Sequence, residues 1–237
     1  MPYRSLKIPF LSICPWILSI ILLCAGCHLK PGGVSQERPL PLKPGKIVVV
    51  GFRPILSHGD EPGVIRNPIS GAVFMAKPVT QDVADSMTDN LFARLLEYKR
   101  YHLVGPKQAK GVFSSLVSSD QGMRDIEIFP KIGQAFSADA VMIGYIYRWQ
   151  EREGTDYSVN RPASTAFDLY LIRPDDRAIL WKGRFDKTQK SLSENLLDIK
   201  TFLKGRGRWM TVKELADSGL ADLLDKSPLG GKERKED

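Results

Sequence analysis

The chain has 237 residues, 43% of them apolar, and a formal net charge of +7. That suits one domain of moderate size with a real core, or one domain plus an appendage, and the charge excess is too modest and too dispersed to predict a nucleic-acid partner. The cysteines are Cys14, Cys24 and Cys27, which excludes a disulfide framework, a cysteine zinc cluster or a cysteine nucleophile from everything that follows.

Arg4 and Lys7 come first, followed by an apolar run over residues 8–23 and the small pair Ala25 and Gly26. A basic head, an apolar middle and small residues before a cut are the layout of a secretory signal peptide, expected over residues 1–26. Leu23-Cys24-Ala25-Gly26-Cys27 resembles the lipobox of bacterial lipoproteins, although that pattern usually has Leu where Cys24 stands. The resemblance implies that Cys27 is acylated and becomes the first residue of the mature chain. Two or more acyl chains hold a protein stably on a membrane without any spanning segment. The alternative is an uncleaved anchor, since residues 8–27 as a helix would reach about 30 Å. Pro9, Pro15, Ser12 and Ser19 weigh against it, because a membrane span must satisfy its backbone internally. His28 is read as a tether residue, not a metal ligand. In the lipoprotein resemblance, the lack of Asp after the acylated cysteine goes with sorting to the outer membrane, facing the periplasm; an inner-membrane anchor is the alternative.

Residues 27–45 carry four prolines and three glycines and read as the lipidated cysteine with its flexible tether, before a domain expected over residues 46–190. Lys46-Ile-Val-Val-Val-Gly-Phe52 is apolar without alternation, as in a strand buried on both faces. Residues 53–78 hold Pro54, Gly59, Pro62, Gly63, Pro68 and Gly71 and read as a long irregular loop, a candidate for partner contact or for covering a sheet edge. His58, Asp60 and Glu61 lie in it, but nothing supplies a second ligand pair, so no metal is expected. Thr80 caps a helix to about Tyr98, with Val83, Met87, Leu91 and Leu95 on one stripe and Phe92 and Leu96 widening it. A strand over residues 101–104 places His102 on a strand surface, and a short helix over 107–116 follows. The next helix, near residues 129–136, has Pro130 in its first turn.

Residues 140–150 alternate as a strand, and its Tyr145, Tyr147 and Trp149 suit core packing better than a stacking platform. Residues 165–172 and 178–185 form a hairpin around Pro174-Asp-Asp-Arg177, where Asp175 and Asp176 are turn residues rather than an acid and base pair. A helical extension is expected over residues 191–227, with capping-box spacing at Ser191 and Glu194 and again at Thr211 and Glu214, before a disordered tail over 228–237. Within it, Arg206, Arg208 and Trp209 form a basic and aromatic joint. They are the candidate partner-binding residues, against the plainer reading of a glycine helix stop with solvated arginines.

This order of elements supports an α/β (α+β) class: a mixed sheet flanked by helices, with a helical carboxyl-terminal extension. The strand ending Val-Gly-Phe52, the helix over 83–96, His102-Leu-Val104 with its short helix, Ile132-Gly133 leading to Ala138-Asp-Ala-Val-Met-Ile-Gly144, and Ala178-Ile-Leu-Trp181 together resemble a group of envelope lipoproteins. The group comprises the curli-secretion lipoprotein, the penicillin-binding-protein activator lipoprotein and the amino-terminal domain of TolB. The resemblance implies a non-catalytic binding or assembly accessory, with an envelope protein as partner and no cofactor. A subunit of a secretion complex and a hydrolase of envelope polymers are the alternatives; no serine elbow or His-Glu-x-x-His run supports the latter.

Overall fold

A computed structural model describes residues 45–57, 59–120, 122–190 and 208–230. The expected signal, the expected tether up to residue 44, His58, the capping box expected at Ser191 and Glu194, and residues 231–237 lie outside the described residues.

The centre is a five-stranded mixed sheet in the order β4-β1-β5-β8-β9, built from β1 (Lys46–Pro54), β4 (His102–Val104), β5 (Ala140–Gln150), β8 (Ser164–Ile172) and β9 (Ile179–Thr188). β1 runs parallel to β4 and β5, while β8 and β9 continue antiparallel as the expected hairpin. Helices α1 (Gln81–Glu97) and α4 (Val212–Lys226) cover one face. Helices α2 (Pro106–Ser119) and α3 (Asp125–Ala135) cover the other, joined there by a two-stranded hairpin of β2 (Gly63–Arg66) and β3 (Val73–Ala76). A second short pair, β6 (Glu153–Gly154) and β7 (Val159–Arg161), projects beyond β5. The mixed α/β architecture with a carboxyl-terminal helix is as the sequence predicts.

Both core faces follow from strand alternation. Ile47, Val49, Met142, Ile146, Phe167, Leu169 and Leu171 meet Met87, Leu91 and Leu95 of α1 and Leu220 and Leu224 of α4. Val48, Val141, Ile143 and Ile172 meet Ile128, Phe129 and Ile132 of α3. The predicted stripe on α1 holds at Met87, Leu91 and Leu95, but Leu96 is 55% exposed. In α4 the capping box closes as spaced: the Glu214 N–H donates to Thr211 Oγ1 at 3.2 Å, and the Thr211 N–H donates to Glu214 Oε2 at 2.9 Å. The helix is buried through Leu215, Ala216, Leu220 and Leu224, so it completes the core beside α1.

Two local departures have physical reasons. α3 begins at Asp125, so Pro130 sits inside it and not in its first turn. Asp125 and Glu127 favour the positive end of the helix dipole, and Arg124 with Glu127 closes the start, which moves the first turn upstream of the proline. In β1, register with β5 shifts between Val49 and Gly51, where Gly51 takes φ +92°. This bulge resets the alternation: Phe52 joins Val49 against α1, and Arg53 is delivered to the opposite face.

Candidate functional site

The long loop expected over residues 53–78 contains the β2–β3 hairpin, and the hairpin seals a polar cluster on the sheet. Its turn is built by Asn67, whose Oδ1 accepts the N–H groups of Ile69 and Ser70 at 2.8 and 2.7 Å while Gly71 takes φ +68°. Below that turn lies Asp168 of β8, 3% exposed. One of its oxygens, Oδ2, accepts the hydroxyls of Tyr147 and Tyr170 at 2.8 and 2.7 Å. The Asn67 amide donates to the Tyr147 hydroxyl at 2.5 Å, and Ser70 Oγ lies 2.7 Å from the Tyr170 hydroxyl. The other oxygen, Oδ1, is buried with no hydrogen-bond partner among the described residues.

Burial pushes the Asp168 carboxyl up to about 6 from its ordinary 3.8, against the pull of the Tyr170 and Tyr147 hydrogen bonds and of Arg184. The same burial, reinforced by the Asp168 charge, raises Tyr147 and Tyr170 far above the ordinary phenol range. A stack extends the seal: Phe74 of β3 lies 3.6 Å over the Tyr147 ring, and the Arg184 guanidinium stands 3.8 Å from the Phe74 centroid. Arg184 also donates to the Val73 carbonyl at 3.0 Å. Nearby, Tyr145 donates to Asp125 at the start of α3, and Arg53, set by the Gly51 bulge, pairs with the same carboxylate at 3.2 Å while lying 4.5 Å over the Phe113 ring. The aromatic residues of β5 are therefore packing residues: Tyr145 and Tyr147 are buried, and Trp149 packs against both α4 and the end of the sheet.

The basic and aromatic joint is placed differently. Cys27 and Arg206 lie outside the described residues. Arg208 pairs with Asp156 at 3.4 Å and with Glu214 in the cap of α4, and its carbonyl accepts from the Gln189 amide at 3.2 Å. Arg152 bridges Asp156 and the Trp209 carbonyl, and its guanidinium holds the Asp156 carboxyl below the ordinary range through the hydrogen bond they share. The Trp209 N–H donates to the Asp156 carbonyl at 2.8 Å; Trp209 is half-buried and Met210, next in the chain, is buried. Arg208 and Trp209 thus tie the start of α4 to the β6–β7 turn.

The remaining sequence candidates stay apart. His102 is exposed on β4. Asp60 accepts the Ser57 N–H at 2.6 Å, and Asp176 accepts from Arg173 and from the Ala178 N–H, as turn residues do. Among the described residues no three His, Cys, Asp or Glu side chains gather as a metal site, and no helix is long and apolar enough to cross a membrane. Asp168 itself is invisible to motif reading; its signal is a lone carboxylate inside the otherwise apolar run of residues 166–172.

No family model and no curated protein matches the chain. Among solved structures, the fold is similar to the PelC dodecamer from Paraburkholderia phytofirmans, at 14% identity and a TM-score of 0.45, covering 82% of this chain and 94% of that one. It is also similar to lipoprotein GNA1162 from Neisseria meningitidis, at 15% identity and a TM-score of 0.38, covering 68% and 96%. A third similar structure is the LpoB carboxyl-terminal domain from Salmonella enterica, at 13% identity and a TM-score of 0.37, covering 62% and 84%.

Proposed function

We propose that this chain is a lipid-anchored accessory protein of the bacterial envelope, held to the outer membrane through Cys27, which binds a protein partner and catalyses no reaction. The observation that carries the reading is Cys27 itself: it follows Ala25 and Gly26 at the end of the apolar run, and the body after it contains no other cysteine that would give it a structural duty.

The geometry of the body supports the second half of the reading. The buried carboxyl of Asp168 is covered by Asn67, Ser70 and Phe74, and its Oδ2 holds the Tyr147 and Tyr170 hydroxyls that in turn meet Asn67 and Ser70 of the hairpin turn. A general acid or base has to reach a substrate proton, and this group faces only its own fold. The ion pairs at Arg53 and Arg208 likewise fix elements to one another.

The test is chemical crosslinking of the full, anchored protein in intact cells. The reading expects a protein adduct that survives detergent extraction, and a body that leaves envelope polymers uncleaved in the same extract. Release of polymer fragments that depends on Asp168 contradicts it.

A further inference from the structure

We propose that the open edge and outer face of the β2–β3 hairpin form a docking strip for an extended segment of a protein partner, one that carries an apolar residue and an acidic residue two positions apart and adds as a strand beside β2. The proposal rests on the partner-binding reading above and names the surface and the chemistry of that partner.

The pleat divides the hairpin's residues. Phe74 and Ala76 are buried against the sheet and Ile65 is half-buried. The outer face carries Val64, Arg66, Val73, Met75 and Lys77, all exposed. Val64 is 64% exposed and Met75 60%, and the two are directly opposite in the register, with Val73 beside them at 46% and facing Arg66. An antiparallel hairpin packed on a core ordinarily turns polar residues outward. This one turns out three apolar residues and two cations, with no carboxylate among them.

The two edges of the hairpin are unlike. The outer edge of β3 is occupied: the Lys77 N–H donates to the Tyr147 carbonyl at 2.7 Å, and the Val73 carbonyl accepts from Arg184 at 3.0 Å. On β2, the Asn67 N–H donates to the Ala72 carbonyl at 2.8 Å, which sets the ladder so that Ile65 bonds to Phe74 and the peptide groups of Val64 and Arg66 point away from β3. The strip is also held rigid by Asn67 and by the Phe74 stack on Tyr147, so little ordering is left to be done on binding.

Chemistry selects the occupant. Outward N–H and C=O groups on β2 match an extended polypeptide, which satisfies them as a bilayer's acyl chains do not. Arg66, whose guanidinium reaches the Gly71 carbonyl at 3.4 Å, calls for a carboxylate on the face that meets it, two positions from the apolar residue that meets Val64, while Arg66 and Lys77 together repel a second copy of the same strip.

The experiment places p-benzoylphenylalanine at Met75 of the full, anchored protein in cells, and in parallel at the exposed Tyr157 of the β6–β7 turn. Irradiation at Met75 is expected to yield an adduct whose mapped peptide carries an apolar and an acidic residue two positions apart. Its yield should fall at least tenfold in Val64→Pro, which removes an outward N–H while sparing the ladder, and in Arg66→Glu/Lys77→Glu. The charge variant keeps the test alive if the proline variant fails to fold. An adduct to lipid, to a second copy, or to a segment without carboxylates overturns the proposal. So does capture only from position 157, which leaves the partner-binding reading standing; no adduct at either position overturns that reading as well.

Discussion

Gly51→Ala is expected to cost about 3 kcal/mol or more of folding stability, measured as a lowered urea midpoint at unchanged slope. Two effects add. Gly51 holds φ +92°, where a Cβ is strained. That Cβ would also overlap Thr88 Cγ2 and stand 2.5 Å from Thr88 Oγ1. Thr88 has no easy escape: its buried hydroxyl accepts the Phe52 N–H at 2.8 Å and donates to the Ala84 carbonyl at 2.7 Å. Displacing it leaves a buried N–H unpaired and disturbs the bulge that points Phe52 one way and Arg53 the other. Gly59→Ala is the control, because Gly59 has φ +100° but nothing within 4 Å of its added Cβ. It should lose only the backbone term of about 1 kcal/mol. Equal losses at the two sites would show that the packing of Thr88 on the bulge contributes nothing.

Asp168→Asn is expected to stabilise the protein at pH 7.5 by about 2 to 3 kcal/mol, and this advantage should shrink to about 1 kcal/mol at pH 4.5 and to nothing near pH 3. The folded carboxyl, up at about 6, binds its proton more tightly than the unfolded one at 3.8. Where the folded state holds the extra proton, stability falls as pH rises, so the wild type loses this contribution between about pH 4 and 7. Among the groups facing Asp168, Tyr147 and Tyr170 have phenols raised far above that window, and Asn67 and Ser70 are neutral. The difference between variant and wild type isolates the group from carboxylates such as Asp156 and Glu127, which are held low by arginines. A variant destabilised equally at both pH values would mean that the hydrogen bonds to Oδ2 outweigh the burial cost.

How much of this was legible depended on whether a signal lay in local pattern or in tertiary contact. β1, β5 and the β8–β9 hairpin carry apolar runs or alternation, and α1 and α4 carry apolar stripes, so the sheet and its class follow from the sequence. The β2–β3 hairpin does not, because its strands have four residues each, and the prolines and glycines around them resemble irregular chain. Its stability comes from Phe74 stacking on Tyr147 and Asn67 reaching Tyr147 across 80 residues, which no local window contains. Asp168 was hidden for a related reason: Tyr170 lies two residues along the same strand, but Tyr147 arrives from β5 and the covering Asn67 and Ser70 from the hairpin turn. The joint at Arg208 and Trp209 was located by composition alone. Its role in tying α4 to Asp156 depends on a contact 52 residues away.

The central proposal is the attachment of the chain through Cys27. Metabolic labelling with a palmitate analogue tests it directly, comparing the wild type with Cys27→Ala. Label is expected on the wild-type protein in the membrane fraction, and none on the variant. Label retained by Cys27→Ala would contradict it.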